Sequence, residues 1–424
     1  MKKRNVIIFI IDGRRTYKSE DSKTTKLDYM YEFAKESIEF EYVSCSAPST
    51  AMSLSAILSG VPSYYLSKTF VNLTFNGTSI PSLNRILEKN GYSSYGISSS
   101  FGQFFRETMN FDDSKYRLGI KKTLHHTYVN NEILKNLLPE MKEPFFLMMH
   151  YTRGDHDVVD NSVREGVKIL KERGLFEDSV FLMTCDHGYP DPDIKRKDID
   201  KLGHDLVVTD DNILVPFYIK YPGSVNGLKV KTMVTHLDIV PTILDLLGIY
   251  DQKPETAKGN SLLNIIKIGG KRAIYPNLKI RIDNRYINQP GRITAIRGPE
   301  YKYVYYHDKP ILDVGGMLSN AKESFYDLRK DPREQINLIG TKNRKYRKEI
   351  EEFREFFRKS ENEAVEYQKA HLKERRFYIL RQLKGRKGDY MKNPCNILKD
   401  AKRQINLVIY RIGKVFRFSY TAFR

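Results

Sequence analysis

The 424-residue chain has few cysteines and no long apolar run. Its three cysteines, Cys45, Cys185 and Cys395, are too few and too far apart for a disulfide framework or a cysteine metal site, and this scarcity is typical of a reducing cytoplasm. No apolar segment approaches the roughly 18 residues that a membrane-spanning helix needs. Asp12 interrupts the run from Val6 to Ile11, so we interpret this run as a buried strand rather than a signal peptide.

Positive charge is concentrated at the C-terminal end. Lysine and arginine outnumber acidic residues by 71 to 52, and residues 341–424 alone hold 24 basic and 10 acidic side chains. This distribution disfavours a specific nucleic-acid-binding function for the whole chain. Within this region, Ile397 to Phe418 mixes apolar and basic residues in an amphipathic pattern. It could lie on an anionic membrane surface at the inner face of the membrane, or pack against the body of the protein.

The order of apolar runs predicts an α/β fold. Strand-like runs alternate with helical patterns, which favours a mostly parallel central sheet with helices on both faces over residues 1–270. Residues 271–340 predict a small antiparallel sheet, and residues 341–424 a basic helical extension. The predicted strands of the central sheet are Val6 to Ile11, Ser94 to Ile97, Phe145 to Met149, Val180 to Thr184 and Leu214 to Ile219. In such folds the ligand site lies at the carboxyl ends of the strands.

Three segments place polar residues where predicted strands end or helices begin. Asp12 follows the first strand, and Asp186-His187-Gly188 follows the strand that starts at Val180. A hydroxyl-rich segment, Ser46 to Gly60, precedes and includes a predicted helix. Taken singly, such an aspartate is more often a turn or capping residue, and a serine or threonine before a helix is more often an N-cap. Aspartate and histidine together, however, are suited to zinc or manganese.

The order of these segments along the chain resembles the sulfatase branch of the alkaline-phosphatase superfamily. The resemblance covers residues 5–340 and leaves the last 84 residues uncovered. It is carried by seven blocks in the family's order: Asn5 to Arg14, Thr25 to Asp28 with Phe33 to Phe40, Leu182 to Gly188, His236 to Gly248, Gly259 to Leu262, Tyr301 to Tyr303, and Ser324 to Leu338.

Two spacings within the family pattern identify the nucleophile position as Thr50. The family places this residue ten positions after a strand phenylalanine and ten before the glycine that closes the following helix, and counting from Phe40 and from Gly60 gives Thr50 in both cases. The string Ser49 to Ser53 is similar to the nucleophile segment of the phosphoethanolamine transferases of this superfamily. Ser46, in Ser46-Ala-Pro-Ser-Thr50, offers only a superficial match to the segment that sulfatases convert to formylglycine.

The resemblance implies a metal-dependent site. The metal would be held by Asp12, Thr50, Asp186 and His187, with zinc or manganese favoured and calcium or magnesium as alternatives. Thr50 would attack phosphorus and form a phosphothreonine, because threonine cannot become formylglycine by the route used for cysteine or serine. The resemblance also assigns His156 and His204 to the leaving group or to a second metal. Arg14 and Arg153 are candidates for contact with the anionic substrate, with a surface ion pair as the equal alternative for each.

Departures from the family pattern disfavour sulfate-ester hydrolysis. Gly13 replaces a second aspartate, Leu54 replaces an arginine, and Gly96-Ile-Ser-Ser-Ser100 replaces a sulfate-binding block. The sequence therefore predicts a phosphotransferase or phosphodiesterase that acts on a phosphate ester, with a phosphoethanolamine- or phosphoglycerol-type group passed to a glycan or lipid. The alternatives are a true sulfatase acting on sulfate esters and an inactive sulfatase-like binding or scaffold protein.

The basic C-terminal pattern generates a prediction about membrane binding. We expect deletion of the residues after about 366 to weaken binding to anionic liposomes, because the basic residues of the tail are attracted to anionic lipid by about 1 kcal/mol each. Cosedimentation with vesicles of anionic and of neutral lipid measures the effect. Unchanged binding of the truncated protein to anionic vesicles would assign the tail to packing against the protein instead.

Overall fold

The computed structural model describes residues 3–20, 23–65, 81–98, 116–118, 126–152, 154–192, 194, 204–269, 278–284, 291–307 and 322–370. The chain divides into a compact unit, Met1–Ala370, and a second unit, His371–Arg424. All of the second unit lies outside the described residues, as do Cys395, the amphipathic pattern from Ile397 to Phe418, and Ser99 and Ser100. No helix among the described residues is long and apolar enough to span a membrane.

A nine-stranded sheet and a four-stranded sheet form the first unit. The strands of the large sheet are β1 (Val6–Ile11), β2 (Ile38–Ser44), β3 (Ser93–Ser98), β4 (Tyr116–Leu118), β5 (Phe145–Tyr151), β6 (Val180–Cys185), β7 (Leu214–Lys220), β8 (Leu228–Val230) and β9 (Val234–Thr235). Those of the small sheet are β10 (Ile280–Asp283), β11 (Ile293–Arg297), β12 (Tyr301–Tyr306) and β13 (Glu323–Asp327).

The helices connect these strands and cover the sheets. They are α1 (Asp28–Phe33), α2 (Thr50–Ser59), α3 (Leu83–Lys89), α4 (His126–Leu137), α5 (His156–Glu172), α6 (Asp210–Ile213), α7 (Ile239–Leu246), α8 (Leu263–Lys267) and α9 (Arg344–Ala370). Short 3-10 helices span Ser63–Tyr65, Leu138–Glu140, His204–Leu206, His236–Asp238 and Tyr250–Gln252.

The large sheet has the predicted mostly parallel topology. Its order is β4-β3-β5-β1-β6-β7-β2-β8, with β9 paired to β2. The strands from β4 to β6 are parallel, whereas β7 is antiparallel to both β6 and β2. The residues of β1, β5 and β6 are all buried, as expected for parallel strands covered by helices on both faces. The predicted fold class is therefore confirmed.

The segment from Phe33 to Phe40 contains the end of a helix and the start of the strand that holds Phe40. Helix α1 ends at Phe33, and β2 begins at Ile38. Phe33 packs edge-on against Phe176, Phe181 and Tyr218 in the core. Because Ile38 and Phe40 are buried against β7, the β-sheet pairing rather than the helical pattern decides this segment.

The small sheet is covered by the long helix α9. The sequence predicted a basic helical extension over residues 341–424, and α9, which lies in that range, buries Ile350, Phe353 and Phe357 against the aromatic side chains of the small sheet. The compact unit consequently extends to Ala370, beyond residue 340 where we expected the basic extension to begin. The apolar positions at spacings of three and four residues give the helix one buried face despite its many charges.

A network of buried salt bridges links α9 to the small sheet. The Asp283 carboxylate has no solvent exposure and accepts hydrogen bonds from Arg281 (Nε, 2.8 Å), Arg292 (Nε, 3.1 Å) and Thr294 (Oγ1, 2.7 Å). Glu361 of α9 accepts from the same two arginines at 2.6 and 2.8 Å. Burial acts to raise the pKa of Asp283, but the two guanidinium groups lower it to about 2.

We expect Asp283→Asn to destabilise the protein in a pH-dependent way. The pKa of Asp283 in the folded state lies below its ordinary value of 3.8, so its stabilisation is present above that value and is lost as the pH falls toward about 2. The free energy of unfolding should be about 3 kcal/mol lower for the variant at neutral pH, with the gap narrowing in acid. Urea titrations at several pH values measure it, with Asp251→Asn, an exposed position, as the control. A difference in the free energy of unfolding between the variant and the wild type that does not change with pH would contradict this account.

Candidate metal and catalytic site

The strand register brings Asp12 and Asp186 together. In the parallel pairing of β1 with β6, Ile11 lies opposite Cys185, so the residues that follow both strands leave the same edge of the sheet side by side. Gly13 has a positive φ of 62°, a conformation that glycine adopts without strain. The turn aims the Gly13 N–H at Asp186 Oδ1, 3.0 Å away. The two carboxylates predicted from strand ends are therefore neighbours.

Helix α2 brings Thr50 to the same edge. Two antiparallel pairings, β6 with β7 and β7 with β2, make β2 run in the direction of β1, and the chain passes from the end of β2 into α2. Thr50 is the first helical residue, and Ser53, one turn later, donates a hydrogen bond to the Asp186 carbonyl. The positive end of the helix dipole thus faces the carboxylates, as it would an anionic substrate.

Three oxygen atoms surround Nε2 of His187. Thr50 Oγ1 lies 3.3 Å away, Asp186 Oδ2 3.6 Å and Asp12 Oδ1 3.9 Å. The other ring nitrogen, Nδ1, lies 2.7 Å from the Gly188 carbonyl oxygen, which can only accept a hydrogen bond. In the neutral ring the proton is therefore on Nδ1, and Nε2 presents its lone pair to the three oxygens.

This arrangement fits a divalent cation. Atoms of Asp12, Asp186 and His187 lie within 4.8 Å of one another, and ligands held about 2.1 Å from a tetrahedral zinc ion would lie about 3.4 Å apart. Asp186 Oδ2 is buried and has no hydrogen-bond partner among the described residues. Burial raises the pKa of the Asp186 carboxyl, but its interactions with His187 and His150 outweigh burial and hold the pKa below its ordinary range. A divalent cation between the Asp186 carboxylate and the His187 Nε2 lone pair would compensate this buried charge.

His204 lies beside the cluster. Its ring stacks on the His187 ring with centroids 4.4 Å apart. Asn212 stabilises the position of His204, because the Asn212 side-chain amide donates to the carbonyls of His204 (2.6 Å) and Val207 (2.5 Å). The Asn212 carbonyl also accepts the Gly188 N–H at 2.9 Å, and a Cβ at Gly188 would lie 2.2 Å from the Asp211 carbonyl oxygen. Only glycine permits this close approach of the two backbones.

The remaining predicted residues lie in different surroundings. His156 begins α5, and its Nε2 lies 3.4 Å from Asp28 Oδ2, so the structure pairs it with that carboxylate. Arg14 has no solvent exposure and donates to the Gly154 carbonyl at 2.8 Å, which joins the turn after β1 to the turn after β5. Arg153 lies outside the described residues. Contact of these three residues with a substrate remains a prediction.

Two buried histidines adjoin the site without having been assigned to it. We interpreted His150 as structural, and its Nε2 lies 3.9 Å from Asp186 Oδ2 with both side chains fully buried. His236 contacts Ser53 and Thr184 at 3.2 Å each. Neither has a strong sequence signal: His150 lies inside a strand that is buried throughout, and His236 precedes a helix far along the chain. The sheet pairing and the packing of α2 bring them to the site.

The alternative nucleophile Ser46 is turned away from solvent. Its side chain is buried, and its Oγ accepts the Ser63 N–H at 3.3 Å. Cys45 is also buried, which raises the pKa of its thiol well above the ordinary range. Thr50 is therefore the hydroxyl of this segment that the structure places within 3.5 Å of His187.

The chain has a mostly parallel sheet and, at the carboxyl edge of that sheet, a cluster of residues that fits a divalent cation. This combination of fold and site places the protein in the alkaline-phosphatase superfamily. The sulfatase family model matches residues 4–158 and 155–249, and the model of the N-sulphoglucosamine sulphohydrolase C-terminal region matches residues 204–362. The chain belongs to the sulfatase family, as its motifs predicted. This family generally uses a divalent metal, in agreement with the Asp12, Asp186 and His187 cluster.

Relatives within the family carry different activities in their names. The chain is 29% identical over 216 residues to Delta 4,5-hexuronate-2-O-sulfatase of Bacteroides thetaiotaomicron, covering 48% of this chain and 38% of that protein. It is 38% identical over 109 residues to lipoteichoic acid synthase of Staphylococcus saprophyticus, covering 25% and 16%. A protein solved in complex with its substrate D-glucosamine-2-N,6-O-disulfate matches with a TM-score of 0.67 and 15% identity over 86% of this chain and 99% of that one, which shows the shared fold.

We expect Asp186→Asn to abolish metal binding while the protein stays folded. The asparagine carbonyl can still accept the N–H groups of Gly13 and His187, but the charge that attracts the cation is lost. Affinity for Zn²⁺ or Mn²⁺, measured by calorimetry, should fall at least about 100-fold. Asp160→Asn is the matched control, because Asp160 of α5 is buried and accepts the Tyr29 N–H of α1 at 2.7 Å. Equal losses in both variants would contradict the assignment.

Proposed function

We propose that this protein is a metal-dependent phosphotransferase or phosphodiesterase that uses Thr50 as its nucleophile. The observation that carries the proposal is the 3.3 Å separation of Thr50 Oγ1 from His187 Nε2, beside the carboxylates of Asp12 and Asp186. A threonine hydroxyl attacks weakly unless it is activated, and a metal site is one of the means by which proteins activate it. Thr50 lies at the first position of α2, where the helix dipole favours an approaching anion.

Asp12, Asp186 and His187 would hold the metal together with Thr50. When bound, a divalent cation lowers the pKa of a neighbouring hydroxyl and offsets negative charge on a phosphate oxygen. The residues of the chain then have distinct tasks. Asp186 stays ionised because of His187 and His150, and the Gly13 N–H fixes the direction of its carboxylate. Thr50 is partly exposed, so its proton can leave to solvent.

The proposed reaction has two displacements. In the first, a bond forms between Thr50 Oγ1 and phosphorus while the bond from phosphorus to the leaving oxygen breaks. His204, half-buried and stacked on His187, gives its proton to that leaving oxygen. In the second, an oxygen of water or of an acceptor hydroxyl forms a bond to phosphorus while the bond from phosphorus to Thr50 Oγ1 breaks. The attacking oxygen gives its proton to His204, and Oγ1 regains a proton from solvent. Water makes the enzyme a phosphodiesterase, whereas an alcohol makes it a transferase.

The substrate class follows from relatives of both kinds. One relative is named as a sulfatase and one as a lipoteichoic acid synthase, so we propose an ester on a glycan or a lipid. We favour a phosphoethanolamine- or phosphoglycerol-type donor, since the nucleophile is a threonine. The basic C-terminal region supports a membrane-proximal location for such a donor.

The second candidate is a sulfatase. The names of several relatives favour it, including the hexuronate sulfatase. Against it stand the identity of Thr50, which is not a formylglycine precursor, and the burial of Ser46 against Ser63. A sulfatase that works from Ser46, rather than with an unusual nucleophile, would need Ser46 to leave these hydrogen bonds and to reach the carboxylate cluster.

We expect Thr50→Ala to lower the hydrolysis of bis-nitrophenyl phosphate at least about 1,000-fold, since it removes the attacking atom. Thr50→Ser should keep activity within about tenfold, because it retains the hydroxyl. Ser46→Ala is the control and should remain close to wild type. Mass spectrometry of the peptide from Cys45 to Met52, after acid quench, should find phosphate on Thr50.

Either of two outcomes would contradict the proposal and establish another function. Formylglycine at Ser46, together with cleavage of nitrophenyl sulfate that survives Thr50→Ala, would establish a sulfatase. A protein that binds no metal and is inert toward phosphate and sulfate esters would be a sulfatase-like binding or scaffold protein.

A further inference from the structure

A buried histidine lies beneath the site, between the nucleophile helix and the strand that carries Asp186. His236 has no solvent exposure and begins a 3-10 helix, His236–Asp238. Its Nδ1 lies 3.2 Å from Ser53 Oγ of α2, and its Nε2 lies 3.2 Å from Thr184 Oγ1 of β6. Ser53 is three residues after Thr50, and Thr184 is two residues before Asp186. The imidazole ring therefore bridges the two elements that supply the nucleophile and the carboxylate.

The hydrogen-bonding capacity of these groups fixes the direction of the bridge. The Ser53 hydroxyl donates its one proton to the Asp186 carbonyl, so toward His236 its oxygen can only accept. Nδ1 must then carry a proton. Burial lowers the pKa of His236 to about 3, so the ring is neutral at working pH and Nε2 carries no proton. The Thr184 hydroxyl lies 3.2 Å from Nε2 and 2.9 Å from the Pro216 carbonyl oxygen, and it can donate to either of these acceptors. The resulting chain runs from Thr184 through His236 and Ser53 to the backbone of Asp186.

The other tautomer would break this chain. With the proton on Nε2, the ring would donate to Thr184, whose own proton has the Pro216 carbonyl 2.9 Å away as an acceptor. Nδ1 would then take the Ser53 proton, and the Asp186 carbonyl would lose the hydrogen bond that ties it to α2. Only the Nδ1–H tautomer leaves the Ser53 proton free for the Asp186 carbonyl, and so keeps the hydrogen bond that joins α2 to Asp186.

We propose that His236 is a positioning residue that holds Thr50 at its distance from Asp186 and His187 by donating its Nδ1–H to Ser53. The inference rests on the proposed role of Thr50 as nucleophile, and His236 itself touches neither substrate nor metal. A misplacement of about 1 Å can lower the rate of a displacement about 100-fold, because the attacking atom is no longer in line. Loss of this link therefore affects the chemical step more than substrate binding.

Two conservative variants test the roles of the two ring nitrogens of His236 separately. The amide of His236→Asn lies near the place of Nδ1 and can donate to Ser53, whereas the longer His236→Gln reaches the place of Nε2 and keeps only the Thr184 contact. We expect His236→Ala and His236→Gln to lower kcat on bis-nitrophenyl phosphate by about 10- to 100-fold with KM within about twofold. His236→Asn should stay within about threefold of wild type, a rescue that a general packing role would not produce.

A matched control exists in the small sheet. His307 is half-buried, and its Nε2 lies 2.8 Å from Thr294 Oγ1. His307→Ala removes a comparable contact from the other sheet and should leave kcat unchanged. Amide hydrogen exchange of the metal-free proteins provides a readout without activity. Exchange at the start of α2 should be faster in His236→Ala and His236→Gln than in wild type, His236→Asn or His307→Ala.

Ser53→Ala tests the same link without changing the histidine, which keeps the test valid if His236→Ala fails to fold. It should lower kcat to the same extent, and the double variant Ser53→Ala with His236→Gln should lose no more, because both changes break one chain. Additive losses would overturn the proposal. So would a wild-type rate of phosphothreonine formation in His236→Gln. If wild-type Thr50 never carries phosphate, the proposed function fails instead, and the two failures are thereby distinguished.

Discussion

The Asp186 carboxylate has no solvent exposure, and an ionised carboxylate is costly to bury unless other groups compensate its charge. Here the compensation comes from the N–H groups of Gly13 and His187 and from the imidazoles of His187 and His150. These groups belong to β5 and to the turns after β1 and β6, which meet at one edge of the sheet. Each of these groups must lie within reach of the Asp186 carboxylate. The register of the strands and the conformation of the turn after β1 therefore depend on each other.

The same constraint extends into the small sheet. Asp210 begins the short helix α6, and Arg297 and Lys302 of the small sheet pair with its carboxylate at about 3 Å. The next two residues, Asp211 and Asn212, accept the backbone N–H groups of Tyr189 and Gly188. A short turn thus connects the ion pairs of one sheet to the metal-ligand loop of the other. The small sheet contributes to the site by holding this turn, and no side chain of it needs to reach the ligands.

Much of this architecture could be predicted from local pattern. The apolar runs from Val6 and from Val180 correspond to β1 and β6, because a parallel strand buried on both faces is apolar throughout. Other elements depend on their partners. The segment after Phe33 becomes a strand only because β7 pairs with it, and α9 has a buried face that its high charge concealed. Tertiary contacts decide such segments, because their local preferences are weak.

The amino-acid sequence by itself determined the family, the mostly parallel α/β fold class and the identity of the ligand-type residues, since motif order and hydrophobic pattern are local properties of the chain. Only the tertiary structure decided the strand order and which polar groups share one centre. It placed Thr50, Asp12, Asp186 and His187 together, paired His156 with Asp28, buried Ser46 and set His236 between α2 and β6. Most of these proximities arise from strand register and helix packing between residues far apart in the sequence, such as Thr50 and His187, which are 137 positions apart, so no local segment predicts them.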